Sequence, residues 1–483
     1  MSKENTRHKY NVVIVGSGFS GIVAAGLLAD FNLSILLVDE NIHIGGQLLR
    51  KIPDELGEYP SYRPEYIKKI GFRFLNNIKK KKIKIMNRTC VVGVYPDNQL
   101  MMESERKEVL AVSYDVLLFA TGARERFLPF KGWTLPGVYS TGLVQVMMKS
   151  SGILPARKML MAGSGLFLFS VGYEFLKNKG KLSAILEQTG MMDKIKMLPL
   201  LFHQFSKFAE GGKFLSKIYL SGVPIKYRRK IVEARGSNGV EEVVVGKVDA
   251  SGKLIEGTEK IYKTNALAVG YGFVPNIEGP QMAGCDLEFS EQKGGWTVKV
   301  NEGLETSVKN VLAAGEITGV GGALKSINEG KIAALTILNK FEKIDKENYH
   351  RQLKKLTKER NHHMKFTDCF NSLYKIPKNA VADIPDDTII CRCEDINMGE
   401  IKRGIDSGFT TPKGLKTAVR ISMGNCQGRI CGPVVYDILK VLTKQAPETL
   451  GPFGARPPLK PVSIGALAKF GEENISRGKK IEG

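Results

Sequence analysis

Two groups of residues in this sequence have the types and spacing to do chemistry. The first is cysteine. Of seven in the chain, Cys391, Cys393, Cys426 and Cys431 crowd into one C-terminal window, as Cys391-Arg-Cys393 and Cys426-Gln-Gly-Arg-Ile-Cys431. Four thiolates hold either a tetrahedral zinc or a [2Fe-2S] cluster, so ligand count alone does not choose. Structural zinc sites usually open with a cysteine pair separated by two to four residues, whereas Arg392 alone separates Cys391 from Cys393. The second group is glycine. Gly16-Ser-Gly18-Phe-Ser-Gly21 follows an apolar run, precedes a helical pattern, and is followed by Asp39 and Glu40 at the end of the next apolar run. In such a turn the first glycine permits the tight bend, the second lets a pyrophosphate approach the backbone, and the third lets helix and strand pack closely. An acid at the Asp39 position can accept hydrogen bonds from a ribose diol.

These residues need elements to position them. Val12–Val15, a helix to Ala29 and Ser34–Val38 read as a βαβ unit. The same grammar returns with Met159–Ala162, the turn Gly163-Ser-Gly165, a helix to about Lys177, and Ser183–Leu186 ahead of Glu187. Tyr114–Ala120 ends in Thr121-Gly122, Ala266–Val269 precedes Gly270, and Asn310–Ala313 leads into Gly315-Glu316 and a helix over Ala323–Leu338. The expected fold class is α/β, with two Rossmann-like dinucleotide-binding domains and a small C-terminal cysteine module. The first domain, 1–135 and 265–345, resumes after an inserted second domain, 136–264. A helical linker (346–385), the cysteine module (386–446) and an extended tail packed along a domain surface (447–483) complete the expected order. Within the module, helices are predicted over about Met398–Ser407 and from Cys431 to about Leu442.

Composition excludes several classes. A chain of 483 residues with 43% apolar and 25% charged side chains can bury two or three ordinary cores. No apolar run approaches the roughly 20 residues that span a bilayer, and Met1–Tyr10 lacks a signal sequence's apolar stretch, so the expected address is the cytoplasm. Clustered cysteines in odd number do not make a secreted disulfide framework. Cys90, Cys285 and Cys369 read as small core residues. The net charge of +22, dense at Lys79–Lys82, reads as a solvated lysine-rich surface, because no nucleic-acid motif accompanies it. The six histidines show no metal-ligand spacing.

The Gly16 turn, Thr121-Gly122, and Gly315-Glu316 with Gly319-Val-Gly-Gly322 resemble the FAD-binding elements of the two-dinucleotide-fold flavoproteins. In that class an acid at the Glu316 position, more commonly Asp, bonds the ribityl chain. Gly45-Gly46-Gln47, Arg124-Glu-Arg126 and Gly132-Trp-Thr-Leu-Pro-Gly137 are similar, more narrowly, to the FAD-containing α subunits of hydrogen cyanide synthase, opine oxidase and dye-linked proline or hydroxyproline dehydrogenases. The resemblance runs from about Asn11 to Ala468. The cysteine segments resemble the small ferredoxin module associated with bacterioferritin, which implies a [2Fe-2S] cluster on Cys391, Cys393, Cys426 and Cys431. For FAD it implies Gly16, Gly18, Gly21, Asp39, Glu40, Gly46, Gln47, Thr121, Gly122, Gly315 and Glu316. The implied activity is an electron-transfer subunit of a heteromeric amino-acid or amine dehydrogenase of the proline, hydroxyproline, opine or glycine type. Its partner would be a β-type, FAD-containing subunit resembling amino-acid oxidases, together forming a hetero-oligomer.

The second glycine turn departs from the nicotinamide pattern, since Leu168 stands where a glycine or alanine would let helix and strand close up. Gly163, Gly165 and Glu187 leave NAD(P), an adenine nucleotide or an empty fold as alternatives. A self-sufficient NAD(P)H-dependent reductase feeding the cluster is the rival reading, and a redox-sensing scaffold a further one. No cysteine lies in Asn41–Arg50 or in the inserted region before Cys285, so dithiol chemistry is not expected at the flavin. The apolar and basic stretch Met191–Lys230 suits either a partner-facing surface or an amphipathic helix on its own core.

Overall fold

The computed structural model describes residues 8–50, 65–81, 83–191 and 205–475. The strand His8–Val15 runs from an exposed start into a fully buried apolar end, as a central parallel strand must. It lies between Ile35–Val38 and Val109–Phe119, with Val12 opposite both Ile35 and Val116. Val109–Phe119 pairs along its first half with Gln99–Glu103 and along its second half with Val311–Ala313. Lys84–Met86 and Cys90–Tyr95 close the edges of this seven-stranded sheet. The helix Phe19–Leu28 crosses Gly322–Lys340 at close range: a Cβ on Gly330 would stand 2.6 Å from the Ser20 carbonyl oxygen, so glycine lets the two backbones touch.

A second sheet of five parallel strands has the order Ile225–Tyr227, Lys181–Glu187, Lys158–Gly163, Leu267–Gly270, Val138–Ser140. An antiparallel sheet of Arg229–Arg235, Glu242–Lys247 and Lys260–Lys263 accompanies it. Leu267–Gly270 corrects one expectation. The sequence pattern resumes the first domain at residue 265, but this strand pairs with Lys158–Gly163 and Val138–Ser140 and so belongs to the second sheet. The chain crosses between the sheets through a two-stranded ribbon, Ala123–Glu125 against Phe273–Pro275. A four-residue apolar run carries no mark of which sheet it will join.

The helix Lys346–Leu373, capped by Asp345 on the Asn348 amide at 2.8 Å, follows the first domain. The cysteine module contains the hairpin Ile389–Cys391/Ile396–Asn397 and the helices Met398–Asp406 and Cys431–Thr443. It also contains Pro412–Val419, a helix capped by Thr411, where the sequence pattern predicts a loop. The module has no core to itself. Ile390, Met398, Ile401, Leu415 and Val435 belong to one continuous buried cluster with Phe130 and Trp133 and with Leu160, Leu186 and Val243 of the second domain. Trp133 anchors the joint: its Nε1 donates to the Ile389 carbonyl at 2.6 Å, and the Arg392 guanidinium lies 5.3 Å from its ring centre.

The tail returns to the first domain, where the Leu459 amide donates to Val92 O at 2.7 Å and Lys460 pairs with Glu40. It then forms the helix Ile464–Ile475, which the expectation of an extended tail does not include. Residues 192–204 of the Met191–Lys230 stretch lie outside the described residues, and the rest holds the helix Phe205–Leu220 and the strand Ile225–Tyr227. Among the described residues no helix is long and apolar enough to cross a membrane.

Because Trp133 fills the joint, Trp133→Ala is expected to cost about 3–5 kcal/mol of stability, the usual cost of truncating a buried tryptophan. Denaturant unfolding should show that loss together with release of the module, read as bleaching of the cluster's visible absorbance while the flavin band remains.

Candidate functional site

The first glycine turn sits at the carboxyl end of the first sheet, and its glycines are there for different reasons. A Cβ on Gly16 (φ +103°) would stand 2.3 Å from Ala120 O, and one on Gly21 2.0 Å from Gly16 O, so the fold itself demands both. Gly18 has φ −64°, which any residue adopts, and a Cβ there would meet nothing within 4 Å. The fold alone gives no reason for a glycine at 18; a pyrophosphate lying over it does. No side chain caps the helix that starts at Phe19, so its first amides remain available to phosphate oxygens.

The neighbouring acids are more engaged than the sequence indicates. Asp39 is buried; one oxygen accepts from Ser17 N (2.7 Å) and Ser17 Oγ (2.5 Å), the other from Asn41 N and Nδ2 (both 2.8 Å). Its carboxylate therefore ties the glycine turn to the second strand. Exposed Glu40 pairs with Lys460 of the tail. Gly45 donates to Ser17 O at 3.0 Å, and a Cβ on Gly46 would lie 2.8 Å from Gly18 Cα, so these glycines wall the turn, with Gln47 exposed beside them. Thr121 and Gly122 meet Asn276: Thr121 Oγ1 donates to its carbonyl, and its amide donates to Gly122 O, each at 3.0 Å. Glu316 accepts from the Gly321 and Gly322 amides at 3.0 and 2.7 Å, capping the helix Gly322–Lys340.

Beneath this loop lies a network that sequence reasoning missed. Lys325 and Glu329 are fully buried, and Lys325 Nζ donates to Gly315 O (2.6 Å), Thr318 Oγ1 (2.6 Å) and Gly319 O (2.7 Å). Glu329 accepts from the Gly315 amide at 2.7 Å and from Arg360 Nε of the following helix at 2.7 Å. Burial pulls the Lys325 ammonium below its usual range, against Glu329 and Glu316. Burial pushes Glu329 the other way, but Lys325 and Arg360 outweigh it and hold the carboxyl low. The available signal was a Lys and a Glu four apart on the apolar face of a predicted helix.

In the second turn, Gly163 is forced by Gly270, whose carbonyl oxygen a Cβ would approach to 1.9 Å, while a Cβ on Gly165 would meet only open space. Leu168 is buried in the domain core. Glu187, fully buried, accepts from Thr189 N at 3.0 Å and Gly165 N at 3.4 Å, and so holds its turn much as Asp39 holds the first. Burial and the Glu187 charge push the phenols of Tyr227, Tyr271 and Tyr374 up.

The four cysteines come together as two interacting pairs, Cys391 with Cys431 and Cys393 with Cys426, close enough for each pair to feel the other's charge. Donation from Cys431 draws the Cys391 thiol down to about 5 and pushes the Cys431 thiol up. The backbone amides of Ser422, Glu394 and Cys393 also lower Cys391. Among the described residues no three Cys, His, Asp or Glu side chains converge on one point. Two adjacent pairs match the two ligands that each iron of a [2Fe-2S] cluster takes. A Cβ on Gly424 would lie 2.2 Å from Cys393 Cβ, so glycine is what lets the two loops close. His43 is exposed in the loop before Gly45 and takes no part.

Arg124 and Arg126, of the motif that carries the narrower family resemblance, reach the cysteine module. Arg126 pairs with Asp437. Arg124 Nε donates at 2.9 Å to the carbonyl of Arg429, inside the Cys426–Cys431 loop.

The pyridine nucleotide-disulphide oxidoreductase family matches residues 10–334, more than half of the chain. The chain belongs to that family. A BFD-like [2Fe-2S] binding domain matches residues 389–441, so this member of the pyridine nucleotide-disulphide oxidoreductases is an FAD-dependent oxidoreductase with a [2Fe-2S] cluster. It is 30% identical to hydrogen cyanide synthase subunit HcnB of Pseudomonas aeruginosa over 95% of this chain and 99% of that protein, which places it in the HcnB family. It is 27% identical to an opine oxidase subunit of Rhizobium meliloti over 96% of this chain and 88% of that one. The fold is similar to L-proline dehydrogenase from P. horikoshii, with a TM-score of 0.68 and 19% identity over 95% of this chain and 79% of that one.

Gly18→Val should yield a protein without flavin, because the branched side chain takes the space above the turn. A yellow variant at full stoichiometry would refute the site. Cys393 is exposed whereas Cys391 and Cys431 are buried, so Cys393→Ser should remove iron and its visible absorbance and spare the fold. Iron, zinc and flavin assays on anaerobically purified protein read this directly; one zinc and no iron in wild type would overturn the cluster.

Proposed function

We propose that this chain is the electron-relay subunit of a heteromeric amino-acid or amine dehydrogenase, of the proline, hydroxyproline, opine or glycine type. A β-type FAD-containing subunit would carry out substrate oxidation. The observation that supports this best is the direct joint between the two cofactor regions, where Arg124, two residues past Gly122, is bonded to the cysteine loop. When bound, FAD supplies two-electron chemistry and the cluster carries single electrons. The protein's part is to hold them: Gly16, Gly18 and Gly21 seat the pyrophosphate, Thr121, Gly122 and Glu316 border the nucleotide, and Cys391, Cys393, Cys426 and Cys431 hold the cluster. Asp39 and Glu187 hold the two turns in shape. Both the hydrogen cyanide synthase and the opine oxidase relatives are named as subunits, which supports a partnered role. We place the chain in the cytoplasm, because four cysteines committed to an iron-sulfur cluster suit a reducing compartment.

The open space at Gly165 favours one rival, an NAD(P)H-dependent reductase with a nucleotide in the second turn. Anaerobic titration with NADH and NADPH separates the two readings, since rapid stoichiometric bleaching of the flavin belongs to the rival. The relay reading predicts that the chain alone binds FAD and iron but does not reduce a dye with proline, hydroxyproline, glycine or opines. Co-expression with the β-type flavoprotein should restore that activity and give a co-eluting complex. Dye reduction by the isolated chain at about 1 per second or more would show that it has its own substrate site.

A further inference from the structure

We infer that Arg124 is a positioning residue for electron transfer, which locks the Cys426–Cys431 loop to the nucleotide-binding strand end and, with Glu278, sets the charge facing the cluster. The inference deepens the relay reading and rests on its assignment of Thr121-Gly122 and the four cysteines.

The side chain works in three directions. Nε donates to Arg429 O at 2.9 Å, one terminal nitrogen donates to Asn276 Oδ1 at 2.8 Å, and the other pairs with Glu278 at 2.8 Å. Asn276 is itself clamped to the nucleotide strand end: Nδ2 donates to Thr121 O at 2.9 Å, its amide donates to Gly122 O at 3.0 Å, and its carbonyl accepts from Thr121 Oγ1 at 3.0 Å. On the far side, the Arg429 guanidinium donates to Cys426 O at 3.2 Å and to Leu459 O of the tail. Thr121 is thus connected to the cysteine loop by an unbroken chain of hydrogen bonds. Only a planar fork with several donors spans it, which a lysine cannot copy.

Charge is the second part. Arg124, Arg429 and Glu278 meet at this junction, and Arg124 and Glu278 are only 23% and 20% exposed. Arg429 feels Glu278, Arg124 and Cys426. Two cations and one anion leave a net positive charge beside a group that gains one negative charge on reduction, so they favour the reduced cluster. Without Arg124, Glu278 would cancel Arg429 and the net positive charge would be lost. Without Glu278, the positive charge would be doubled. The two substitutions must therefore move the potential in opposite directions, whereas a loss of packing would not make that distinction.

Arg124→Gln, Arg124→Lys and Glu278→Gln are to be made in the full chain, with iron and flavin content measured. Mediated redox titration with dithionite is then followed by the cluster's EPR signal. Arg124→Gln should lower the ratio of reduced to oxidised cluster at the wild-type midpoint by about tenfold, or about 59 mV for one electron. Glu278→Gln should raise it. Arg124→Lys should keep the midpoint near wild type while its EPR line broadens, because charge remains and the fork is lost. A wild-type midpoint in iron-replete Arg124→Gln, or shifts of the same sign in Arg124→Gln and Glu278→Gln, overturns the inference. If Arg124→Gln loses iron, Glu278→Gln decides: an unchanged or lowered midpoint overturns the inference and a raised one supports it. Mediators deliver electrons without a partner protein, so failure of the relay reading in co-expression would leave these shifts intact, and their absence would leave that reading standing.

Discussion

The cysteine module is too small to fold on a core of its own, and that constraint organises the rest of the molecule. A segment of this size buries too little apolar surface to offset the entropy of ordering it. Its helices Met398–Asp406 and Cys431–Thr443 instead complete the core of the second domain around Trp133, Leu160 and Val243. The four cysteines are thereby fixed relative to both sheets. Cys391 and Cys431, at 1% exposure, form part of the same core, so ligand geometry and domain packing are set together. The module is therefore part of the second domain's packing rather than a bead on a tether.

Fixed nucleotide edges are the second consequence. Both glycine turns are held by a buried carboxylate, Asp39 for the first and Glu187 for the second, and a buried acid is tolerated only when hydrogen bonds satisfy its oxygens. Under the Gly315–Gly319 loop, Lys325, Glu329 and Arg360 form a buried network that would cost several kcal/mol to break by removing one member. Arg360 lies on the helix Lys346–Leu373, so the linker between first domain and cysteine module also braces the Gly315–Gly319 loop. The tail adds a strap, bonded to Val92 on one side and to Gln427 and Arg429 of the cysteine loop on the other. The linker helix and the tail therefore brace the Gly315–Gly319 loop and the cysteine loop from outside.

Local grammar is legible in the residues alone. Period-two and period-3.6 patterns separate strands from helices in both βαβ units, glycines mark the turns, and the paired cysteine spacing points to a cluster module. A dinucleotide turn and a four-thiolate site are legible in adjacent residues, while FAD and the [2Fe-2S] cluster follow from the family resemblance. Other features arise only on packing. Leu267–Gly270 joins the second sheet because pairing depends on which edge is free once the neighbours have packed, and four apolar residues do not encode that. Pro412–Val419 becomes a helix where its apolar side meets the shared core through Leu415. Asp39 has the position of a ribose acid in the sequence, and only the packed molecule shows that it and Glu187 also brace their own turns, Asp39 through Ser17 and Asn41 and Glu187 through Gly165 and Thr189. The pairing of Arg360 with Glu329, and the meeting of Arg124 with Arg429, join residues from separate segments of the chain. Such contacts leave no periodicity, and only the packed molecule brings their charges within reach of one another.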